Sequence, residues 1–246
     1  MAMQNDDGGF GTCERRRGST LLELLSPTEL FARTMVDHSH TEPTALVVVG
    51  LAAASSQLTA ALGPRRLRRM QRAIACAAAF LRRQQRGDGS WEGAWGICFT
   101  YGTMFAVWGL RAAGAAAADP ALRRAAQFLL ATQLADGGWG ESRRSCSERR
   151  FIPHPDGGQA AMTAWALLAL HRIDPKGYTA AVERGVRFLL LRQQPDGDWP
   201  AEGVNGIFNR SCALHYRFYR NYFPLWALGL SQKSFFCDQT SAAASY

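Results

Sequence analysis

Apolar positions along the chain recur at helical spacing, and two kinds of helix alternate. The first kind is amphipathic. Over residues 65–86, Leu67, Met70, Ile74, Ala77 and Leu81 share one side while arginines take the other. Residues 121–134, opened by Asp119-Pro120, and residues 178–194 read the same way. The second kind is apolar nearly all round. Residues 98–113 carry Phe99, Tyr101, Met104, Phe105, Val107, Trp108 and Leu110, and residues 158–171 follow suit, which predicts burial on every side. A small-residue helix over 44–62 follows Pro43 and ends at Gly63-Pro64. Residues 21–36 predict a short helical region, with Ser26-Pro27-Thr28-Glu29 as a helix start. The aromatic-rich tail, 208–230, predicts one or two buried helices, and no strand-like alternation of useful length competes. An all-α fold follows: inner apolar helices surrounded by outer amphipathic ones.

Each outer helix ends in the same punctuation. The pattern F-L-x-x-x-Q-x-x-x-G-x-W occurs as FLRRQQRGDGSW (80–91), FLLATQLADGGW (128–139) and FLLLRQQPDGDW (188–199). The spacing predicts Gln85, Gln133 and Gln193 in the last helical turn and a left-handed glycine as the stop. Trp91, Trp139 and Trp199 then fold back over the glutamine and the helix end. A half copy, QNDDGGF (4–10), has Phe in place of Trp, and the helix that should precede it falls before Met1. Such internal spacing is a repeat signature. Residues 1–20 read as the tail of a preceding repeat plus a loop, 21–232 as the helical array, and 233–246 as a C-terminal tail.

Charge and cysteines exclude more than they suggest. The 246 residues carry a formal net charge of +8, with arginine runs at 15–17 and 65–69. No basic–aromatic pattern accompanies the runs, so they read as solvated helix faces and no nucleic-acid partner is expected. Six scattered cysteines form no C-x-x-C and sit at no metal-ligand spacing from a histidine, which predicts free thiols. The N-terminus carries no signal-peptide core, and no apolar run reaches the ~20 residues that span a bilayer. A monotopic attachment to a membrane surface stays open.

The repeated motif resembles the QW motif of triterpene cyclases, and the similarity extends beyond it. MQNDDGGFGTCERRRGSTLLELLSPTELF (3–31), DGSWEGAWGICFTYGT (88–103), DGGWGESRRSCSERR (136–150) and GDWPAEGVNGIFNRSCALHYRFYRNYFPLWALG (197–229) resemble eukaryotic 2,3-oxidosqualene cyclases, the lanosterol and cycloartenol synthases. The resemblance covers nearly the whole chain. It implies part of an (α/α)6 toroid, the C-terminal portion of an enzyme that cyclises 2,3-oxidosqualene to a sterol precursor. It implies no metal and no organic cofactor, and a monotopic place on the endoplasmic reticulum membrane or lipid-droplet surface. In the family an Asp protonates the epoxide, and aromatic faces hold the migrating cation without trapping it.

Position by position, the resemblance is uneven. Phe208 matches the family's cation-stabilising Phe, and Tyr216 matches a pocket-region Tyr. Met104 stands where the family has a pocket Trp, and Cys13 where a Tyr is usual. Pro43 replaces the Cys that bonds the catalytic Asp. His38 and His40 fall at aromatic positions; His40 reads as a solvated loop residue, with a polar lining role as the alternative. The Asp-Cys-Thr-Ala-Glu acid motif of the family and the Asp-x-Asp-Asp motif of squalene–hopene cyclases are both absent from the sequence. Opening an epoxide needs a strong, activated acid. Asp37, Asp238 and the motif aspartates have ordinary turn or surface explanations, so the chain alone is expected to be inactive. The competing reading from another class is a non-catalytic helical-repeat module that binds a lipid or a partner chain. A zinc-dependent prenyltransferase subunit shares the barrel but needs an Asp-Cys-His site that the sequence does not offer.

Overall fold

A computed structural model describes residues 2–26, 35–59, 61–208 and 212–242. In chain order it holds a 3-10 helix (Thr20–Leu25), α1 (Thr41–Gln57), α2 (Pro64–Gln84), α3 (Phe99–Ala112), α4 (Pro120–Ala131) and the short α5 (Arg144–Glu148). It continues with α6 (Ala160–Ile173), α7 (Thr179–Arg192), the strands β1 (Gly206–Phe208) and β2 (Cys212–Leu214), and α8 (Tyr219–Ala242).

Helices α1, α3, α6 and α8 pack side by side in that order as an inner layer. Helices α2, α4 and α7 lie outside, each in a seam: α2 on α1 and α3, α4 on α3 and α6, α7 on α6 and α8. The residue pattern explains the division. Every residue of α3 from Phe99 to Leu110 is buried, and α6 is buried along almost its whole length. The outer helices bury one stripe each, such as Leu122, Ala125, Phe128 and Leu129 of α4, and turn arginines outward. Close approach inside needs small residues: a Cβ on Gly109 of α3 would lie 2.9 Å from Ala45 of α1.

The repeated motif ties the layers together. The indole N–H groups of Trp91, Trp139 and Trp199 donate to the carbonyls of Leu81, Leu129 and Leu189 at 2.6, 2.7 and 2.9 Å, and all three rings are fully buried. The backbone N–H of Trp91 and of Trp139 donates to Thr103 of α3 and Thr163 of α6, so α2 and α4 are each fastened to the next inner helix. Gln85, Gln133 and Gln193 sit just past the last turn rather than in it, since the helices end at Gln84, Ala131 and Arg192. Glutamates, Glu141 buried and Glu202 half-buried, close the inner helices at a distance. Glu141 accepts the N–H groups of Phe99 and Thr100 at 3.0 Å, and Glu202 accepts that of Ala160. They serve the unpaired donors that begin every helix.

Two further sequence readings need correction. Helix α1 begins at Thr41, with Pro43 inside its first turn, where a missing N–H costs no helix bond. The tail is not helical from 208: an antiparallel hairpin, Gly206 paired with Leu214 and Phe208 with Cys212, precedes α8. Of the helical region expected over 21–36, residues 21–26 and 35–36 are described, 21–25 of them in the 3-10 turn; the Pro27-Thr28-Glu29 start lies outside the described residues.

Candidate functional site

A cavity of about 560 Å³ opens beside the N-terminal ends of α1 and α3. Its walls come from four segments: residues 12–17, residues 35–40, the loop that follows the first full motif, and β1. Trp95 and Phe208 form the aromatic wall, with ring centroids 4.6 Å apart and planes inclined at 44°.

Bonds to backbone groups position Trp95, β1 and Asp37. The carbonyl of Trp95 accepts the N–H of Ile207 at 3.1 Å, which joins the Trp95 loop to β1. Glu42, in the first turn of α1, accepts the N–H groups of Ala94 and Trp95 at 2.5 and 3.1 Å. Burial pushes the Glu42 carboxyl up, against the opposing pull of those amides. Elsewhere in the lining, Asp37 accepts three backbone N–H groups, from Thr12 at 2.8 Å, Cys13 at 2.6 Å and Glu14 at 2.8 Å. Partial burial would raise its pKa, but the three amides outweigh burial and hold it below the usual carboxylate range. Asp37 is therefore kept ionised. It can organise a loop, and it is unsuited to giving a proton to an epoxide.

At the cavity's edge, Glu23 of the 3-10 helix accepts the N–H groups of Met35 and Val36 and bonds the imidazole of His38 at 2.8 Å. Burial works to raise the Glu23 pKa, and these bonds overcome it and lower it. His38 is buried against that carboxylate.

The site residues read from the sequence separate into two groups. Cys13 and Phe208 both line the cavity. His40 lines it too, half-buried, which corrects its reading as a solvated loop histidine. Met104 is fully buried within α3, Tyr216 stacks on Tyr219 at 4.7 Å and 25°, and Pro43 lies in the first turn of α1; none of the three borders the cavity. Sequence reasoning missed Trp95. Its only signal was a second Trp in WEGAW, outside the repeat pattern. It also missed the threefold bonding of Asp37, which no spacing announces.

Chemically, the arrangement offers two π faces, a thiol at Cys13 and the apolar side chains of Met35 and Val36, beside the polar or charged Thr12, Glu14, Arg17, Asp37 and His40. The aromatic and apolar part of this wall can hold hydrocarbon and attract a cation over an aromatic face. Among the described residues, no three or more His, Cys, Asp or Glu side chains converge as metal ligands, and no helix is long and apolar enough to cross a membrane.

Residues 1–233 match the family model described as squalene-hopene cyclase C-terminal domain. The chain is 44% identical over 233 residues to lanosterol synthase of Homo sapiens, covering 93% of this chain and 31% of that protein. It is 41% identical over 228 residues to cycloartenol synthase of Dictyostelium discoideum, covering 93% of this chain and 32% of that one. The chain thus spans about a third of the length of the curated relatives it matches. Among solved structures, a type II terpene cyclase from Scytonema, MstE R337A in complex with geranylgeranyl dihydroxybenzoate, superposes with a TM-score of 0.63 at 18% identity, over 94% of this chain and 65% of that one. The ent-copalyl diphosphate synthase of Streptomyces platensis gives 0.61 at 23% identity, over 79% of this chain and 34% of that one. At these identities the two structures speak for the fold.

Proposed function

This chain belongs to the squalene-hopene cyclase C-terminal domain family, and on that premise we propose that it supplies the cation-holding wall of a triterpene cyclase. The substrate is 2,3-oxidosqualene and the product a sterol precursor such as lanosterol or cycloartenol. The observation that carries this reading is the Trp95–Phe208 pair on a cavity of about 560 Å³. A carbocation over such faces is stabilised by about 2 kcal/mol per ring when water is excluded. Neither ring is a nucleophile strong enough to end the cascade early.

The initiating proton comes from elsewhere. Asp37 is the carboxylate on this wall nearest in kind to such an acid, and its three amide bonds favour the ionised form. The chain by itself is therefore inactive in this proposal.

A chimera tests it, with residues 1–233 replacing the matching segment of human lanosterol synthase. Cyclised product from 2,3-oxidosqualene is expected, and Phe208→Ala should shift the profile toward products quenched earlier. The 246-residue chain alone should show no turnover. A folded chimera without product, or unchanged products after both Trp95→Ala and Phe208→Ala, would refute the reading.

Attachment to one face of a membrane is part of the proposal, at the endoplasmic reticulum or a lipid droplet. Leu21, Leu24 and Leu25 of the 3-10 helix are 68%, 81% and 71% exposed, and Glu23 bonds that helix to the segment carrying Met35. Exposed apolar side chains beside a lipid-sized cavity suit a bilayer surface. Co-sedimentation with phosphatidylcholine vesicles should fall when Leu24 and Leu25 are both changed to Ser.

A further inference from the structure

Glu42, Glu141 and Glu202 each accept backbone N–H groups from a distant segment, and their carboxyl oxygens are satisfied differently. Glu141 uses both oxygens, on the N–H groups of Phe99 and Thr100 and on the Thr100 hydroxyl. Glu202 adds an ion pair with Arg192 at 2.9 Å to its bond from Ala160. Glu42 has neither arrangement. Its Oε1 accepts the N–H groups of Ala94 and Trp95, while its Oε2 is buried with no hydrogen-bond partner among the described residues.

Glu42 is 3% exposed, and no arginine, lysine or histidine among the described residues pairs with it. The titratable neighbours that feel its charge, Glu92, Tyr101 and Tyr219, bring no positive charge. A carboxylate sealed from water without a counter-charge is costly, and such a group takes up a proton instead. Burial raises the Glu42 pKa in the same direction.

The place of Glu42 gives that neutrality a use. Trp95 lies in an irregular loop, and both of its backbone groups are engaged. Its N–H goes to Glu42, and its carbonyl accepts from Ile207 of β1 at 3.1 Å. Thr41, next to Glu42 in α1, donates to the carbonyl of Glu92 at 3.1 Å and ties down the same loop. The loop runs close to the carboxyl: a Cβ on Gly93 would lie 3.3 Å from Glu42 Oε1. A neutral carboxyl accepts both N–H groups through its carbonyl oxygen. A carboxylate would accept them too, but it would draw water or a counter-ion in beside Trp95, where water would trap a cation.

We infer that Glu42 is a neutral carboxylic acid at neutral pH and is the positioning residue for Trp95, holding the loop that carries this side of the aromatic pair. Its part in catalysis rests on the proposed cyclase function; its protonation and its hold on the loop do not.

The infrared difference between the 246-residue protein and its Glu42→Gln variant at neutral pH reads the proton. The C=O stretch of a protonated carboxyl is expected, and carboxylate bands in its place overturn the proposal. Glutamine offers the same carbonyl oxygen and an amide NH2 where the acid has O–H, so this variant should fold. Failure of Glu42→Gln to fold also overturns the proposal.

Hydrogen exchange at the amides of Ala94 and Trp95 reads the hold on the loop. Glu42→Leu should quicken it about fivefold, the worth of one hydrogen bond, and the conservative Glu42→Gln should restore the parent's rate. If Glu42→Leu does not fold, Glu42→Asp is read instead, since its carboxyl falls one methylene short of the loop. Parent-like exchange in that variant, or exchange equally fast in Glu42→Gln, overturns the positioning role. In the lanosterol synthase chimera, the variant that quickens exchange should shift products toward earlier quenching, as Trp95→Ala does, and Glu42→Gln should rescue the profile. An unshifted profile beside a shifted one in Trp95→Ala overturns the part in catalysis. A chimera that makes no product fails the cyclase reading alone, and the infrared and exchange results then decide the inference.

Discussion

The carboxylate of Asp37 accepts the backbone N–H of Cys13 at 2.6 Å, and that bond ties together two of the segments that line the cavity. Bonds from Thr12 and Glu14 complete the arrangement. An Asn side chain at 37 would keep the shape but lose the charge and one acceptor. Asp37→Asn should cost about 1–3 kcal/mol, read as a fall in the urea midpoint at constant m-value. The sign of the pH effect follows from the depressed folded pKa. Stability from Asp37 is fully present above the ordinary carboxylate range and is lost as pH falls through the folded value. The acid limb of a stability profile should therefore flatten in Asp37→Asn.

Trp139 tests the structural side of the repeat. Its ring is fully buried and its indole N–H bonds the carbonyl of Leu129 at 2.7 Å. Trp139→Phe keeps most of the volume and removes the bond, so about 1 kcal/mol should be lost. Trp139→Ala also opens a cavity, and about 3–5 kcal/mol is expected. Chemical denaturation of both variants separates the two contributions. Equal losses would mean that the hydrogen bond, not the packing, carries the clamp.

The motif glycines should differ in their tolerance of a side chain. Gly89 and Gly197 share left-handed backbones, φ +90° and +84°. Alanine at either site bears about 1–2 kcal/mol of conformational strain. At Gly89 the new methyl would also meet the carbonyl of Arg124 at 2.3 Å, whereas at Gly197 it meets no described atom. Gly89→Ala should therefore lower the thermal midpoint well beyond Gly197→Ala. Matched midpoints would show that backbone strain alone governs both.

His171 gives a second pH effect at the seam of two inner helices. It lies buried on α6 and bonds Ser231 of α8 at 2.8 Å. Burial lowers its pKa from the ordinary 6.5, so the unfolded chain takes up a proton more readily. Stability is complete above pH 6.5 and declines as pH falls from there toward the folded value. The urea midpoint should drop between pH 7.5 and 5.5, and His171→Gln should remove that dependence. An unchanged slope in the variant would assign the effect to another group.

The sequence by itself determined the helices and their two layers. All-round apolar runs such as 99–110 have no polar stripe to show to water and must lie inside, while Leu122, Leu129 and their arginine-bearing opposite face can lie only at a boundary. It determined the repeat as well, because the left-handed glycine and the tryptophan must hold fixed spacing from the helix they close. The tail was less legible. Cys212 and Ile207 belong to a hairpin whose pairing partner is another short segment, and three-residue strands leave no period to read. Tertiary structure alone decided the cavity. Cys13, Asp37, Trp95 and Phe208 lie far apart in sequence and meet because inner helices α1 and α3 bring their leading loops to one end of the array. It likewise decided that Met104 faces the core and not the cavity. Periodicity can say that a residue is buried; which neighbours bury it depends on contacts between segments that the order of residues does not contain.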